Sequence, residues 1–347
     1  MPSHVPPLLT SLHTLTSVAS TVPANGDINP YGLAVVPTSA GKLVAGDLLV
    51  SNYNAKINVQ GTGHTLVEIS PTGHRTTFAR IDTLPMGQHC PGGVGVDTAL
   101  SVLPGGYVVV GSLPQTRAGT LPHLNPIGCL IVLDSQGTPV ATWSGPSIDG
   151  PWDMTATSTA TTASLYVSNV LARSGSATSA VPATGVCTIV RIDLALHQGS
   201  APTMTGSTVV GSGFPWKVNP ATVVLGPTGV AVASDGTAYV ANTLTNTITA
   251  IPNAGSRTTP VSFGTDTIAT GGGLNQPLGL IVAPNGNLIA VNGNDGNAVE
   301  LTPQGAQVDV AKVIKDGAGD LFGIAASQNG KALWLTDDGT NMLDLYH

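Results

Sequence analysis

Apolar residues along this chain recur in short runs that alternate with polar residues and are separated by Gly, Pro, Asn and Ser. Runs of this length and alternation predict β-strands, and the separating residues predict tight turns between them. The abundance of turn residues, with 43 Gly and 26 Pro, agrees with an all-β chain. Val, Ile and Leu are plentiful, so the chain has enough apolar residues to form a core.

Six segments open alike, with a Pro or Gly turn followed by an apolar run. They are NPYGLAVV (29–36), CPGGVGVD (90–97), GPWDMTAT (150–157), GPTGVAVA (226–233), QPLGLIVA (276–283) and GDLFGIAA (319–326). Each is followed by a second and a third β-like run, and the first five also carry a fourth. Repetition of this kind predicts an array of four-stranded units.

The sixth unit lacks a fourth run, and residues 12–20 supply a candidate. The segment HTLTSVASTVPANGDINPYG (13–32) lines up with RTTFARIDTLPMGQHCPGG (75–93), because each joins a β-like run to the next opening turn. We therefore predict that the N-terminal strand completes the last unit and closes a ring, which removes exposed sheet edges. A β-sandwich with six similar strands is the alternative, and the constant register of the units favours the ring.

The six repeated openings, four of which read Pro-x-Gly, the second strand AYVANTLTN (238–246) and the third-strand end ISPTG (69–73) resemble the NHL-repeat family of six-bladed β-propellers. More distantly, the chain is similar to propellers of the gluconolactonase, paraoxonase and amidating-lyase groups. The resemblance implies one domain over residues 1–347. Its blades would span roughly 28–85, 86–146, 147–217, 218–271, 272–316, and 317–347 with 12–20. Propellers host many unrelated activities, so the resemblance implies architecture more than function.

In such a propeller the first strand of each blade lines the channel, and its start shares a face with the end of the second strand. This geometry places His89 and Cys90 at the channel mouth, in blade two. The residue after each opening Pro, or its equivalent, is Tyr31, Gly92, Trp152, Thr228, Leu278 or Leu321. The next position is Gly in five units and Asp153 in the third. Asp153 is either a functional carboxylate or a cap for a local turn, and the sequence leaves both open.

The second strands end in a polar ring formed by Asn52, Asn169, Asn242, Asn292 and Asp337. Asn and Asp oxygens can bind Ca²⁺, and in the gluconolactonase and paraoxonase groups channel-facing residues of these types hold a metal. The alternative, which we favour, is that these side chains hold the turns that follow them.

Three long loops, 52–64, 113–128 and 169–186, are expected to wall one side of the mouth. They would bring His64, His123, Arg117 and Arg173 to the face of His89 and Asp153. One hypothesis is therefore that His89, with His64 or His123 and Asp153, binds Zn²⁺ or Cu²⁺. Caps and solvated loop residues are the alternative. The zinc-binding His positions of the amidating lyases are not His here, so that lyase activity is not expected.

The three cysteines allow one disulfide, between Cys90 and either Cys129 or Cys187, and a thiol nucleophile at Cys90 is the less favoured alternative. A net charge of −7 with only 12 Lys and Arg argues against nucleic acid as a partner. No apolar run reaches the ~20 residues that span a bilayer. Few charges and three Cys favour a secreted or periplasmic protein whose mature form carries an added Met, with a cytosolic protein as the alternative. We expect a monomer.

The sequence therefore predicts a site at the channel mouth for a small molecule or peptide. Tyr31, Trp152, Leu278, Phe322, Arg117 and Arg173 would contact the ligand. His89 and Asp153 would be catalytic, in a hydrolase or lyase assisted by Zn, Cu or Ca. The alternative is a non-catalytic propeller of the cell envelope that recognises a peptide, a glycan or a protein.

Overall fold

Six antiparallel sheets form a closed ring in the computed structural model, which describes residues 6–95, 97–113, 128–170, 183–219 and 223–347. The chain is a six-bladed β-propeller, and the fold class predicted from the repeats is confirmed. The one helix among these residues is a 3₁₀ turn at Leu9–Ser11. No helix in the described ranges is long and apolar enough to cross a membrane.

The strands follow the order of the repeats along the chain. The N-terminal strand is β1 (Leu15–Ser20). Blade one contains β2 (Ile28–Val35), β3 (Leu48–Asn54), β4 (Gln60–Ile69) and β5 (Arg75–Arg80). Blade two contains β6 (Asp97–Leu103), β7 (Tyr107–Ser112), β8 (Cys129–Leu133) and β9 (Pro139–Trp143). Blade three contains β10 (Pro151–Ser158), β11 (Thr162–Asn169), β12 (Ala183–His197), β13 (Ser200–Asn219) and β14 (Val223–Leu225).

The last three blades are shorter. Blade four contains β15 (Pro227–Val232), β16 (Ala238–Asn242), β17 (Thr247–Ile251) and β19 (Thr267–Thr270), and the short β18 (Val261–Ser262) pairs in parallel with β13 of blade three. Blade five contains β20 (Pro277–Val282), β21 (Leu288–Asn292), β22 (Asn297–Leu301) and β23 (Gln307–Lys312). Blade six contains β24 (Leu321–Ala326), β25 (Leu333–Asp337) and β26 (Met342–Tyr346), and β1 is its outer strand.

Pairing of β1 with β26 closes the ring, as predicted, with Leu15 opposite Tyr346. The 3₁₀ turn before β1 is anchored on blade five, where the Leu9 backbone N–H donates a 2.9 Å hydrogen bond to Glu300 Oε2. Leu9 and Leu12 are buried among apolar residues of blades five and six. The N-terminal segment is therefore part of the core.

Apolar side chains fill the space between neighbouring blades, because each sheet buries both of its faces. The pattern is clear between blades one and two, where Leu49 and Leu66 pack with Val108 and Ile131. The first strands of neighbouring blades contact one another around the whole ring and enclose the channel.

The first strand of blade two differs from the sequence prediction. In CPGGVGVD (90–97), residues 90–95 do not form a strand, and β6 starts at Asp97, which pairs with Ser112. Thr98 and Ala99 therefore occupy the positions that we assigned to Gly92 and Gly93. In blade six Leu321 pairs with Asp337, as Pro277 pairs with Asn292 in blade five, so Phe322 rather than Leu321 follows the opening position.

Candidate functional site

Two rings of equivalent residues form the mouth of the channel. In each blade, one residue near the start of the first strand pairs with a residue near the end of the second strand. The first ring contains the residue that comes directly after this pairing position in each first strand: Tyr31, Thr98, Trp152, Thr228, Leu278 and Phe322. The second ring contains the residue that comes directly after the partner of that pair in each second strand: Tyr53, Leu113, Val170, Thr243, Gly293 and Asp338. Both rings contribute to a cavity of about 450 Å³. Its lining includes Tyr31, Trp152, Leu278 and Phe322, the four apolar or aromatic contacts predicted from the sequence.

The aromatic residues of the cavity pack on one another. Tyr31 stacks on Phe322 with ring centroids 5.1 Å apart, and it meets Trp152 edge-on at 5.5 Å and 86°. Tyr53 meets Trp152 from another side at 6.2 Å. The Trp152 indole N–H also donates a 2.5 Å hydrogen bond to the Tyr31 hydroxyl. These contacts fix the rings before any ligand arrives, which lowers the entropy cost of binding.

Asp338 is the only carboxylate among the described residues that line this cavity. It immediately follows Asp337, and its backbone N–H donates a 2.7 Å hydrogen bond to the carbonyl of Asp320. Burial, and then the nearby carboxylates of Asp320 and Asp337, raise the pKa of Asp338 to about 7. A carboxyl group of this kind can both take up and release a proton near neutral pH.

Asp338 was not among the site residues predicted from the sequence. Its signal was present, because Asp338 is the only acid in the second ring of equivalent residues. The polar ring was predicted at the preceding position instead, because Asn or Asp recurs there in five blades.

The Tyr53 hydroxyl is buried and has no hydrogen-bond partner among the described residues. Tyr53 itself is only 3% exposed, and it lines the mouth cavity. Burial raises the pKa of Tyr53, and the charge of Asp338 raises it further, so the phenol stays protonated. An unpaired buried hydroxyl costs free energy, and a ligand that bonds to it would recover that cost.

Asp153 lies deeper, in a channel cavity of about 260 Å³ that is lined by the first strands. One carboxylate oxygen accepts a 2.9 Å hydrogen bond from the backbone N–H of Met154, and the other accepts a 3.1 Å bond from that of Val230 in blade four. Burial raises the pKa of Asp153 to about 7, although both hydrogen bonds lower it. Tyr31 and Phe322 line both cavities, so the aromatic cluster separates Asp153 from the mouth.

The repeat explains why a side chain at this position is unusual. A Cβ atom at the equivalent glycines would lie 2.3–2.4 Å from a carbonyl oxygen of the next blade, as at Gly32, Gly229, Gly279 and Gly323. Four blades therefore have Gly here rather than the predicted five, because blade two has Ala99, and blade three has Asp153, whose carboxylate bonds to the backbone of blade four. The local-cap interpretation thus has support from the bond to Met154, and the bond to Val230 adds a link between blades.

His89 and Cys90 contact a different part of the molecule than predicted. His89 is exposed, and its backbone N–H donates a 3.1 Å hydrogen bond to Thr142 Oγ1 on the outer strand β9. Cys90 forms a disulfide with Cys129 at the start of β8, and the N–H of Gly95 donates to Ser112 Oγ on β7. The segment therefore crosses blade two from its outer strand inward before β6 begins. The placement of His89 at the central mouth was wrong, because the opening motif of blade two was assigned too early.

The other predicted metal ligands do not gather around Asp153 in the described structure. His64 lies on the third strand of blade one, where its backbone N–H donates to Asp27 Oδ2 at 3.0 Å. Burial lowers the pKa of His64, while Asp27 and Asp82 raise it. His123, Arg117 and Arg173 lie outside the described residues. No group of three or more His, Cys, Asp or Glu that could hold a metal ion occurs in the described ranges.

In blades one, three, four and five, the polar ring of the second strands connects the blade to the segment that enters it. The side-chain amide of Asn52 donates to the Thr21 carbonyl, and the amides of Asn169, Asn242 and Asn292 donate to those of Ser147, Pro215 and Gly273. Asp337 accepts hydrogen bonds from the backbone and hydroxyl of Thr340. The ring residues are at most 5% exposed. These contacts support the structural interpretation over a ring of calcium ligands.

The remaining cysteine, Cys187, is buried and free. Burial raises the pKa of its thiol, so the thiolate is disfavoured. The disulfide thus joins one of the two pairs that the sequence allowed, Cys90 with Cys129.

No family model matches this sequence, and no curated protein matches it either. The fold is similar to solved structures of six-bladed propellers. A gluconolactonase from Xanthomonas campestris is 14% identical, with a TM-score of 0.55, over 97% of this chain and 90% of that one. Regucalcin from Agrobacterium tumefaciens, a calcium-binding protein, is 12% identical, with a TM-score of 0.52, over 95% of both chains. A streptogramin B lyase is 11% identical, with a TM-score of 0.51, over 99% of both chains. At these identities the similarity shows the fold, and the NHL-repeat assignment stays a prediction.

Proposed function

We propose that the mouth cavity binds a small organic molecule or a short peptide and that the protein acts on it as a hydrolase or lyase. The observation that carries this proposal is the cavity itself, in which fixed aromatic rings and a partly buried carboxylate, Asp338, share the lining. Largely apolar walls with a few polar groups are typical of small-molecule sites. The similar folds include a gluconolactonase and a streptogramin B lyase, so these reaction classes are the first to test.

Asp338 is the group we assign to proton transfer. In hydrolysis its carboxylate would take a proton from the attacking water, and in elimination it would take one from the carbon next to a carbonyl. A pKa of about 7 gives the group both forms at neutral pH. Trp152 and Phe322 would hold the apolar part of the ligand, and Tyr53 would donate a hydrogen bond from its free hydroxyl.

The metal-assisted form of the proposal has less support. Of its predicted ligands, Asp153 already binds two backbone N–H groups, His89 lies beside the outer strand of blade two, and His64 lies on a third strand. The donors in the described ranges therefore do not fit a Zn, Cu or Ca site at the mouth, and we derive no step through a metal.

A panel of lactones, esters and cyclic depsipeptides, assayed at pH 7, tests the proposal. We expect Asp338→Asn to lower kcat/KM at least 100-fold for any substrate found, because general acid–base catalysis contributes about 10²–10⁴-fold. Asp309→Asn, a partly exposed acid on the outer strand of blade five and outside the described lining of the cavity, is the matched control. Full activity in the Asp338 variant would contradict the assignment.

Non-catalytic recognition is the second candidate, and one observation favours it. The described residues of the cavity contain a single carboxylate and no His, Lys or Arg, so neither a second carboxylate nor a basic side chain among them faces Asp338. A binding propeller needs only the aromatic walls. Binding of a ligand without turnover, lost in Trp152→Ala, would favour this function.

We also propose that the protein is exported to the periplasm or secreted. The disulfide between Cys90 and Cys129 supports this, because disulfides persist in oxidising compartments. Counting free thiols in protein isolated from its native host tests the proposal. One thiol per chain is expected, and three would contradict it.

A further inference from the structure

We infer that the ligand of the mouth cavity carries a protonated amine, with the ammonium group seated against the aromatic rings and beside Asp338. The inference rests on the proposed binding site and names the chemical class that the site takes. It does not depend on whether the ligand is turned over.

The aromatic walls are the first observation. Tyr31 and Trp152 are nearly perpendicular, and Tyr53 and Phe322 extend the walls to either side. Aromatic faces carry negative potential, and they attract a cation most strongly when it is shielded from water. A cluster of four rings is therefore a better receptor for a cation than for an anion.

The charge of the cavity is the second observation. Asp338 faces it, with Asp320 and Asp337 close enough to raise the pKa of Asp338. No Lys, Arg or His is found among the described residues of the lining, and no described basic group forms an ion pair with Asp338. A partly buried carboxylate without a counter-ion is costly, so a cationic ligand would supply the charge that the described residues of the lining do not.

The Tyr53 hydroxyl is the third observation, and it distinguishes among cations. This oxygen is buried without a partner, on a residue that shares the cavity with Asp338 and interacts with its charge. A primary or secondary ammonium can donate one N–H to the carboxylate and another to the phenol oxygen. A quaternary ammonium can donate to neither, so it keeps only the charge and the aromatic contact.

Four probes of similar shape test the inference: 2-phenylethylammonium, its N,N,N-trimethyl form, 2-phenylethanol and 3-phenylpropionate. Binding is followed at pH 8 by calorimetry and by the indole N–H resonance that disappears in Trp152→Phe. We expect the primary ammonium to bind at least tenfold more tightly than the alcohol, and the carboxylate to bind least. Asp338→Asn should abolish the preference for the amine, whereas Asp320→Asn, whose side chain lies outside the cavity lining, should keep it.

Tyr53→Phe gives a second test that preserves the ring. It should weaken the primary ammonium about threefold to tenfold and leave the trimethyl form unchanged, since only the former can bond to the hydroxyl. Equal or tighter binding of the alcohol or the carboxylate would overturn the inference while leaving the binding site intact. Absence of binding by all four probes would overturn it too, and the proposed function would then fall only if the substrate panel also gave neither binding nor turnover.

Discussion

Asp153 and Asp338 both carry carboxyl groups whose pKa burial raises to about 7, but their surroundings differ. Asp153 is held by two backbone N–H groups and contributes a link between blades three and four. Asp338 faces the mouth cavity with no described basic partner. The first is therefore expected to affect stability, and the second to affect ligand binding.

The stability of the protein should depend on pH through Asp153. Its pKa rises from 3.8 to about 7 on folding, so the folded state binds more protons between these values. Folding is consequently favoured at low pH, and this contribution is lost as pH rises from about 4 to about 7. Between pH 5 and pH 8, the loss of stability measured by urea unfolding should be about 1–3 kcal/mol larger in the wild type than in Asp153→Asn.

Other groups with a raised pKa, such as Asp344, remain in both proteins, so the comparison isolates Asp153. Asp134→Asn, at an exposed turn, is the control and should follow the wild type. Parallel pH dependences for wild type and Asp153→Asn would contradict the prediction.

Binding of a cationic ligand should weaken below about pH 7, because protonation removes the charge of Asp338. The ionisable groups that raise its pKa are Asp320 and Asp337, and its own charge in turn raises the pKa of Tyr53. Replacing Asp320 with Asn removes one repulsive charge, so the midpoint of the pH dependence should move to lower pH. Titration of 2-phenylethylammonium between pH 5 and pH 9 measures the midpoint, and an unchanged or higher midpoint in the variant would count against this electrostatic cause.

The segment that enters blade two shows how local sequence and strand pairing can disagree. Residues 90–96 repeat the Pro-Gly punctuation and apolar alternation of a true opening, and so they were predicted to begin a first strand. The pairing of Asp97 with Ser112 starts the strand later. The residues before Asp97 instead cross the blade, where they contact β9, β8 and β7 in turn. These contacts join residues that are distant in the sequence, so a local pattern does not predict them.

The disulfide should stabilise this crossing segment without contributing to the site. Cys90 and Cys129 are 39 residues apart, and replacing both with Ala should cost about 2–4 kcal/mol in unfolding free energy. Activity or ligand affinity at 25 °C should change less than threefold, because the bridge lies over blade two and outside the described lining of the cavity. His89→Ala should likewise retain function. Loss of binding in His89→Ala with an intact fold would restore the original assignment of His89 to the site.

For the molecule as a whole, the repeats predicted the number of blades and the closing strand because each blade must bury both faces against its neighbours. Alignment of the repeats also placed Tyr31, Trp152 and Leu278 at the mouth. The alignment could not show which of the residues at the mouth are functional, because the burial of a carboxylate depends on the packing of neighbouring blades. Asp338 was therefore missed, and His64 was grouped with residues that lie elsewhere.

Ring closure by the N-terminal segment is the feature of the whole fold that is easiest to test. Removing residues 1–20 deletes β1 and the 3₁₀ turn, which exposes the edge of β26 and leaves Glu300 without its bond from Leu9. We expect the truncated protein to lose several kcal/mol of stability, because Leu9 and Leu12 also leave the core of blades five and six. Urea unfolding measures the loss, and a synthetic peptide of residues 6–20 added in excess should raise the melting temperature of the truncated protein by binding only its folded form. Replacing Leu9 and Leu12 with Ser in the peptide should remove the effect, and equal stability of the truncated and complete proteins would show that the ring does not need this strand.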